Sequence, residues 1–157
     1  MQRITPYLWF EDQAEEAASF YTSIFKNSKI NEISRYGEGG PGPAGSVMLV
    51  SFELDGQQFI ALNGGPQFQF TEAISFVINC ESQEEVDYMW DKLTEGGEES
   101  MCGWLKDRYG ISWQVVPTAL PELLNAPNPG AQQRVMEVFL KMSKIDLPTL
   151  RLAYEGR

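Results

Sequence analysis

The side chains of this sequence that are best suited to chemistry are aromatic rings. Flat rings can line a cup for a flat, apolar ligand, although they are used as heavily in protein cores and subunit interfaces. The candidate rings are Tyr7, Trp9, Phe59, Phe68, Phe70, Trp104 and Trp113. We therefore expect either a site that binds a small apolar or aromatic molecule or a purely structural aromatic cluster.

The chain contains no histidine. It therefore lacks the commonest metal ligand and the commonest general base, and neither a Ser–His–Asp nor a Cys–His nucleophile can form. Its two cysteines, Cys80 and Cys102, do not make a disulfide framework or a zinc motif. Cys102 would be a reactive thiol only if Lys106 or Arg108 lowered its pKa, and the alternative is a small buried hydrophobic residue.

Composition and charge exclude several classes of partner. The 157 residues include 22 acidic and 12 basic side chains, which gives a formal net charge of −10. This charge disfavours nucleic acid and anionic membranes, and its alternative role is solubility alone. The N-terminus lacks the apolar core of a signal peptide, and no apolar run approaches the roughly 20 residues that span a bilayer. We expect one cytoplasmic domain with no nucleic-acid or membrane partner.

One helix pattern occurs twice in the chain. Four apolar residues spaced as i, i+3, i+4 and i+7 recur after 69 positions, which is typical of a helix that buries one face. The two sets are Ala17, Phe20, Tyr21 and Ile24, and Val86, Met89, Trp90 and Leu93. Asp12 and Ser82 each precede a glutamate by three residues, as at a capped helix start. Apolar runs at 5–10 and 73–78 precede the helices, so a strand–helix unit is used twice.

The remaining segments complete the same order in both halves. Asp55-Gly56 is a strong hairpin signal, and a glycine- and proline-rich loop spans 37–45. The further predicted strands are 29–36, 46–54 and 57–63, then 99–102, 104–106 and 112–116. A tail follows with a turn near 120–124, a helix at 131–142 and a short helix near 148–154. We predict one α+β domain of two βαβββ modules, about 1–65 and 69–117, with a helical tail at about 118–157.

The repeat also predicts which face of each strand lies under a helix. Leu8 and Phe10 match Phe76 and Ile78, which share their parity with Ile74, so this apolar set is expected to pack under the helices. The opposite, open face is expected to carry Thr5, Tyr7, Trp9, Ala73, Ser75 and Val77. The last strands are expected to add Phe59, Ala61, Asn63, Ser112 and Gln114 to this face. The sequence leaves the register of these strands undetermined by one residue.

Paired βαβββ modules resemble the vicinal oxygen chelate superfamily, which includes glyoxalase I, bleomycin-resistance proteins and extradiol dioxygenases. The segments 70–76 and 102–117, with the tail motifs 133–136, 144–146 and 153–156, look like its PhnB-like branch, often labelled demethylubiquinone methyltransferase-like. The resemblance covers essentially the whole chain. It implies a pseudo-twofold arrangement of the modules around a curved mixed-sheet cup, and a homodimer.

The metal ligands of that superfamily would fall on Thr5, Ala61, Ala73 and Gln114. None of these is histidine, aspartate or glutamate, so we predict a metal-independent protein with no cofactor. A methyl-donor site of the Rossmann type would need a glycine-rich turn after the first strand, where 11–13 reads Glu-Asp-Gln. The methyltransferase label is therefore not supported by these residues.

Three functions are compatible with these residues and with the resemblance. The first is metal-independent binding of a small apolar or aromatic molecule. The resemblance adds polar contacts from Asn63, Ser75 and Gln114, for which the alternative is hydrogen bonding to neighbouring strands. The candidate ligand-binding residues are Thr5, Tyr7, Trp9, Phe59, Asn63, Ser75, Cys102, Trp104 and Gln114. The second is an enzyme acting on an aromatic or quinone-like metabolite through Tyr7, Cys102 or Lys106. The third is a structural or regulatory interaction module without a ligand cavity.

Overall fold

The computed structural model describes residues 2–157, and the chain divides into two compact units, one ending at Phe70 and the other beginning at Thr71. Each unit contains a four-stranded mixed sheet and a helix between its first two strands, and the second unit carries three further helices. This is the predicted α+β fold with the βαβββ order repeated.

The first unit is a sheet in the order β1-β4-β3-β2 with one helix packed on it. Its elements are β1 (Tyr7–Phe10), α1 (Ala14–Ile24), β2 (Lys29–Arg35), β3 (Val47–Leu54) and β4 (Gln57–Asn63). Strand β1 runs parallel to β4, and the other pairs are antiparallel. Asp55 and Gly56 join β3 to β4 with φ angles of 48° and 80°, the left-handed backbone that this hairpin turn requires.

The second unit repeats this topology in the order β5-β8-β7-β6. Its elements are β5 (Ser75–Cys80), α2 (Gln83–Thr94), β6 (Glu98–Glu99), β7 (Trp104–Lys106) and β8 (Ser112–Pro117), followed by α3 (Leu120–Leu124), α4 (Pro129–Phe139) and α5 (Leu147–Glu155). Strand β5 runs parallel to β8, and β7 is antiparallel to both β8 and β6. The parallel first and last strands of each unit bring the two ends of each module together.

The repeated apolar stripes lie in the core, as their spacing predicts. Tyr21 of α1 is buried and stacks on Phe52 of β3, with ring centroids 6.4 Å apart. Trp90, which occupies the same place in the repeat, is buried in α2 and donates a hydrogen bond from Nε1 to Glu99 at 2.6 Å. The helical tail has its own buried cluster, formed by Leu120, Val135, Ile145, Leu150 and Ala153.

The two helices begin differently, although their sequences predict the same start. In α2, Ser82 Oγ accepts a hydrogen bond from the Glu85 amide at 3.1 Å, and the Glu85 carboxylate accepts one from the Glu81 amide. This capping arrangement confirms the prediction. In α1 the N-cap residue is Gln13 rather than Asp12, and its side chain makes no capping hydrogen bond. The prediction for Asp12 is therefore wrong.

Strands β1 and β5 begin two residues later than the apolar runs predict. Thr5 is followed by Pro6, which has no N–H to donate to the ladder, and β1 starts at Tyr7. Ala73 lies in a turn before β5. The expectation that Ile74 packs under the helix is wrong, because this side chain precedes β5 and is 74% exposed.

Candidate ligand-binding site

A cleft of about 250 Å³ lies on the sheet of the second unit. It is lined by Glu72, Glu98, Glu99, Ser100, Trp104, Leu105, Lys106 and Ser112. The ladder pairs Lys106 with both Glu98 and Ser112 and pairs Trp104 with Gln114, so these side chains share one face of the sheet. The opposite face carries buried Leu105 and Trp113. Most of the cleft lining thus belongs to the open face of the sheet, and Glu99 and Leu105 reach the cleft from the opposite parity.

The charges of the cleft are centred on one lysine. Lys106 forms an ion pair with Glu72. The hydrogen bond and the charge of Glu72 raise the pKa of Lys106, with a smaller contribution from the charge of Glu98, and the same pair lowers the pKa of Glu72. A lysine with a raised pKa stays protonated near neutral pH, so Lys106 is a fixed cation and a poor general base.

Ser112 is the unusual polar residue of this cleft. Its side chain is 2% exposed, and Oγ has no hydrogen-bond partner among residues 2–157. Leaving a buried hydroxyl unpaired costs about 1–3 kcal/mol, and buried polar groups in proteins are nearly always satisfied. Because Ser112 also lines the cleft, a bound molecule can supply the missing partner.

A buried carboxylate holds the turn that joins the two central strands of the site. Asp107 accepts hydrogen bonds at Oδ1 from the amides of Tyr109 and Ile111, at 2.8 and 3.1 Å, and at Oδ2 from Trp113 Nε1 at 2.8 Å. These bonds fix the connection between β7 and β8. They bring Lys106 and Ser112 opposite each other.

Three of the sequence-predicted residues come together on this open face. Trp104 lines the cleft, and Gln114 is its partner in the ladder. Gln114 donates a hydrogen bond from Nε2 to Ser75 Oγ at 2.9 Å, across the parallel pair of β5 and β8. This contact is a hydrogen bond between neighbouring strands, which is the alternative to ligand contact for Ser75 and Gln114.

Three other predicted residues lie in the first unit. Tyr7 is 55% exposed on β1. Trp9 shares its parity, donates a hydrogen bond to the Gly65 carbonyl at 2.9 Å and packs edge-on against Phe68, with ring centroids 4.9 Å apart. Thr5 is half-buried and precedes the strand.

The expected register of β4 is wrong by one residue. The ladder pairs Tyr7 with Ile60 and Leu8 with Ala61, so Phe59, Ala61 and Asn63 lie on the helix side with Leu8 and not on the face of Tyr7. Phe59 is buried and stacks on Phe52, with ring centroids 5.5 Å apart. Asn63 is bonded to backbone groups in its own unit.

The two cysteines are separate from the cleft. Cys102 has a φ angle of 58°, its amide donates to the Met142 carbonyl at 2.7 Å, and its thiol donates to the Phe139 carbonyl at 3.6 Å. Its contacts are therefore with the segment that ends α4 and follows it. Cys80 is fully buried, and burial raises the pKa of its thiol to about 12. Cys80 therefore behaves as a small hydrophobic residue of the core.

The carboxylates of the cleft could not be identified from the sequence. Glu72 precedes β5 and Glu98 lies in a two-residue strand, so neither belongs to a periodic pattern that could have identified it. Ser112 was expected on the open face but not singled out as a ligand contact. The available signal was its parity with Gln114, two positions further along β8.

The metal positions of the superfamily do not fit a metal here. Ala61 and Ala73 have no donor atom, and Thr5 and Gln114 offer only neutral oxygens. Within residues 2–157, no group of three or more His, Cys, Asp or Glu side chains is arranged to hold a metal ion. The described helices also include none that is long and apolar enough to cross a membrane.

Comparisons with known proteins agree with this fold. The PhnB protein from Bacillus cereus is 43% identical, with a TM-score of 0.69 over 74% of this chain and 100% of that chain. A Pseudomonas aeruginosa protein is 23% identical, with a TM-score of 0.62 over 74% of this chain and 98% of its own. The fosfomycin resistance protein FosX from Listeria monocytogenes is 16% identical, with a TM-score of 0.58 over 79% and 97% of the two chains. No curated protein matches the sequence.

The two βαβββ modules define the fold class that the repeat and the segments 70–76 and 102–117 indicate, which this chain shares with the PhnB protein and with FosX. Within it, the family model described as 3-demethylubiquinone-9 3-methyltransferase matches residues 2–116. The chain belongs to this family, of which the PhnB-like proteins are members.

Proposed function

We propose that this protein binds a small apolar or aromatic molecule without the help of a metal ion. The observation that carries the proposal is the cleft on β7 and β8, which is lined by the half-buried ring of Trp104 and by the buried, unpaired hydroxyl of Ser112. The ring gives the cleft a flat apolar surface, and the polar side chains around it give hydrogen-bonding partners, the two elements that a small-molecule site combines.

Metal independence rests on the chemistry of the available donors. A structure of FosX from Listeria monocytogenes, a likeness in fold alone, is described as complexed with Mn(II). In this chain, alanines stand at two of the four positions that the superfamily uses, and alanine cannot ligate a metal. The binding that we propose therefore depends on packing and hydrogen bonds and not on coordination.

The family description gives methyl transfer to a demethylubiquinone as an alternative activity. A nucleotide-derived methyl donor would need a phosphate- or ribose-binding turn at a helix N-terminus, as in doubly wound parallel sheets. Here Glu11 and Asp12 follow β1, and each sheet has only one parallel pair. These residues do not fit such a donor, so we derive no step through it.

An enzyme acting on a quinone-like metabolite would need a group that transfers protons. The raised pKa of Lys106 disfavours it as a base, and Cys102 contacts the segment around α4 rather than the cleft. Tyr7 lies in the other unit. The cleft volume, in turn, favours binding over an interaction module whose sheet face would be filled by side chains. These observations support binding as the primary function.

We include a homodimer in the proposal because exposed apolar side chains occur on the first strand of each unit. Tyr7 on β1 and Val77 on β5 are each at least half exposed, and both strands are at the edge of their sheets. Edge strands with apolar side chains are usually covered in the assembled protein. The apolar residues Val135, Val138 and Phe139 of α4 do not supply this argument, since they pack into the buried cluster of the tail.

The test is a titration of the ¹⁵N-labelled protein with indole, a flat and neutral probe, followed by NMR. The chain has four tryptophans, so its indole N–H signals are few, and Trp104→Phe identifies the signal of the cleft. We expect the Trp104 signal to shift at up to millimolar indole. The signal of Trp9, which lies in the first unit and donates to the Gly65 carbonyl, is the internal control and is expected to stay in place. A titration that leaves the Trp104 signal unchanged contradicts the proposal.

A further inference from the structure

The cleft contains more negative than positive charge. Glu72, Glu98 and Glu99 line it together with a single cation, Lys106. Glu72 is engaged by Lys106, and Glu99 accepts the hydrogen bond from the Trp90 indole. Glu98 is exposed, and the ladder places it opposite Lys106, on whose pKa its charge acts. The carboxylate of Glu98 is therefore available to a ligand.

An anionic ligand does not suit this arrangement. A carboxylate or phosphate that reached Lys106 would compete with Glu72 for it and would face Glu98 at the same time. Like charges brought together at this cleft repel each other. A positively charged group is attracted to the cleft instead, because the lining side chains carry a net negative charge.

A second observation, independent of the charges, points to a ligand at the same place. Ser112 Oγ is buried, lines the cleft and lacks a partner among the described residues, and a hydroxyl oxygen accepts hydrogen bonds from ammonium groups. The ring of Trp104 offers a flat surface that also attracts cations through its π face. A bare divalent ion is a poorer fit, because no three His, Cys, Asp or Glu side chains of residues 2–157, the glutamates of the cleft included, are arranged to hold a metal ion.

We propose that this cleft binds the amine end of a small aromatic molecule, with its ammonium group at Glu98 and Ser112 and its ring against Trp104. This assignment of a ligand class rests on the proposed small-molecule function. A primary ammonium donates three hydrogen bonds, so it has donors for the Glu98 carboxylate and for the Ser112 hydroxyl, which lie on either side of Lys106 in the ladder. Lys106 keeps its ion pair with Glu72, which balances its positive charge between these two residues.

The experiment compares three probes that share one ring and differ in charge: indole, tryptamine and indole-3-propionate. Each is titrated into the full ¹⁵N-labelled chain, and affinity is taken from the Trp104 indole signal. We expect tryptamine to bind roughly threefold or more tightly than indole, and indole-3-propionate to bind more weakly than either. The preference for tryptamine is expected to decrease at high salt, because charges at an open cleft are screened.

Glu98→Gln is the decisive variant. It keeps the shape of the side chain and is expected to lower tryptamine affinity about threefold while leaving indole affinity unchanged. Glu38→Gln removes the same charge from an exposed loop of the first unit and is the matched control, with no expected effect on either probe.

The three probes and the Glu98→Gln variant distinguish failure of the amine assignment from failure of the proposed function. If indole-3-propionate binds as tightly as tryptamine, or if the preference for tryptamine survives Glu98→Gln, the amine assignment is wrong and the proposed small-molecule function stands. If Mg²⁺ or Mn²⁺ alone shifts the Trp104 signal and displaces tryptamine, the cleft is a metal site and the assignment is also wrong. If none of the three probes shifts that signal, the proposed function fails together with the assignment.

Discussion

Asn63 in β4 accepts a hydrogen bond at Oδ1 from the backbone amide of Ala14, the first residue of α1, at 2.8 Å. The same side chain donates from Nδ2 to the Val47 carbonyl at 3.1 Å. One asparagine thus satisfies an unpaired amide at the helix start and links it to β3 and β4. A distant residue performs the capping that the sequence next to α1 does not provide.

Replacing Asn63 is expected to reduce stability rather than binding. Asn63→Ala leaves the Ala14 amide and the Val47 carbonyl without their partner, so we expect the free energy of unfolding to fall by about 1–3 kcal/mol. Urea denaturation of the variant measures this. Asn79→Ala, at an exposed position on β5, is the control and should change stability by less than about 0.5 kcal/mol. Equal effects at the two sites would show that the Asn63 bonds contribute nothing.

The hydroxyl of Ser112 is expected to act in the opposite direction on stability and on binding. Ser112→Ala removes a buried group without a partner, so we expect the free energy of unfolding to rise by about 1 kcal/mol while affinity for tryptamine falls. Thermal or urea denaturation and the NMR titration measure the two quantities. Ser75→Ala, which removes the acceptor of the Gln114 hydrogen bond, should lower stability instead. A destabilised Ser112→Ala protein would indicate that Ser112 has a structural partner.

Gly97 stands where the backbone of β7 leaves no room for a side chain. A Cβ atom at this position would overlap the Lys106 carbonyl and lie 2.8 Å from the carbonyl carbon of Asp107. Since backbone atoms cannot move aside easily, we expect Gly97→Ala to lower the free energy of unfolding by roughly 1–3 kcal/mol and to weaken probe binding at the adjacent cleft. Gly37→Ala places its methyl group in open space and is the control. Similar stabilities for the two alanine variants, in parallel denaturation curves, would contradict this reading of the packing.

The Cys80 thiol is expected to make stability depend on alkaline pH. Burial raises its pKa from 9.0 to about 12, so between these values the folded protein holds a proton that the unfolded chain has lost. The free energy of unfolding should therefore be unaffected below pH 9 and should fall as pH rises above it, by at most about 1.4 kcal/mol per pH unit from this group.

Denaturation curves at pH 8.0, 9.5 and 10.5 isolate this contribution when the native chain is compared with Cys80→Ala and Cys102→Ala. We expect the loss of stability with pH to be smaller in Cys80→Ala and unchanged in Cys102→Ala. The same slope in all three proteins would show that the Cys80 thiolate is not excluded from the folded state.

The parts of the fold that follow periodic patterns could be predicted from the sequence. The stripe through Tyr21 and the stripe through Trp90 lie in the core because a spacing of i, i+3, i+4 and i+7 matches the helical turn. The alternation that buries Leu8 and Phe10 was equally informative. The register of β4 could not be predicted, because residues 59–62 are apolar at both parities, and only its pairing with β1 decides which side faces α1.

The candidate site could be predicted only where it lies on regular strands. Strand alternation predicted that Ser75 and Gln114 lie on the open face, where the ladder has them. Their role as ligand contacts came from the family resemblance, and Trp104 was a candidate because of its ring. Glu72 and Glu98 reach the same face from a loop and from a very short strand, and sequence spacing carries no information about that approach. The helix start at Ala14 is a similar case, since its partner Asn63 is 49 positions away.

The most direct test of the central claim is native mass spectrometry of the purified protein with tryptamine, with elemental analysis of the same sample. We predict a dimer that contains no stoichiometric metal and gains one tryptamine per chain, and we expect Ser112→Ala to gain less under the same conditions. A tightly held divalent metal at one ion per chain would contradict metal-independent binding. It would require a set of ligands other than those that this family's usual positions provide here.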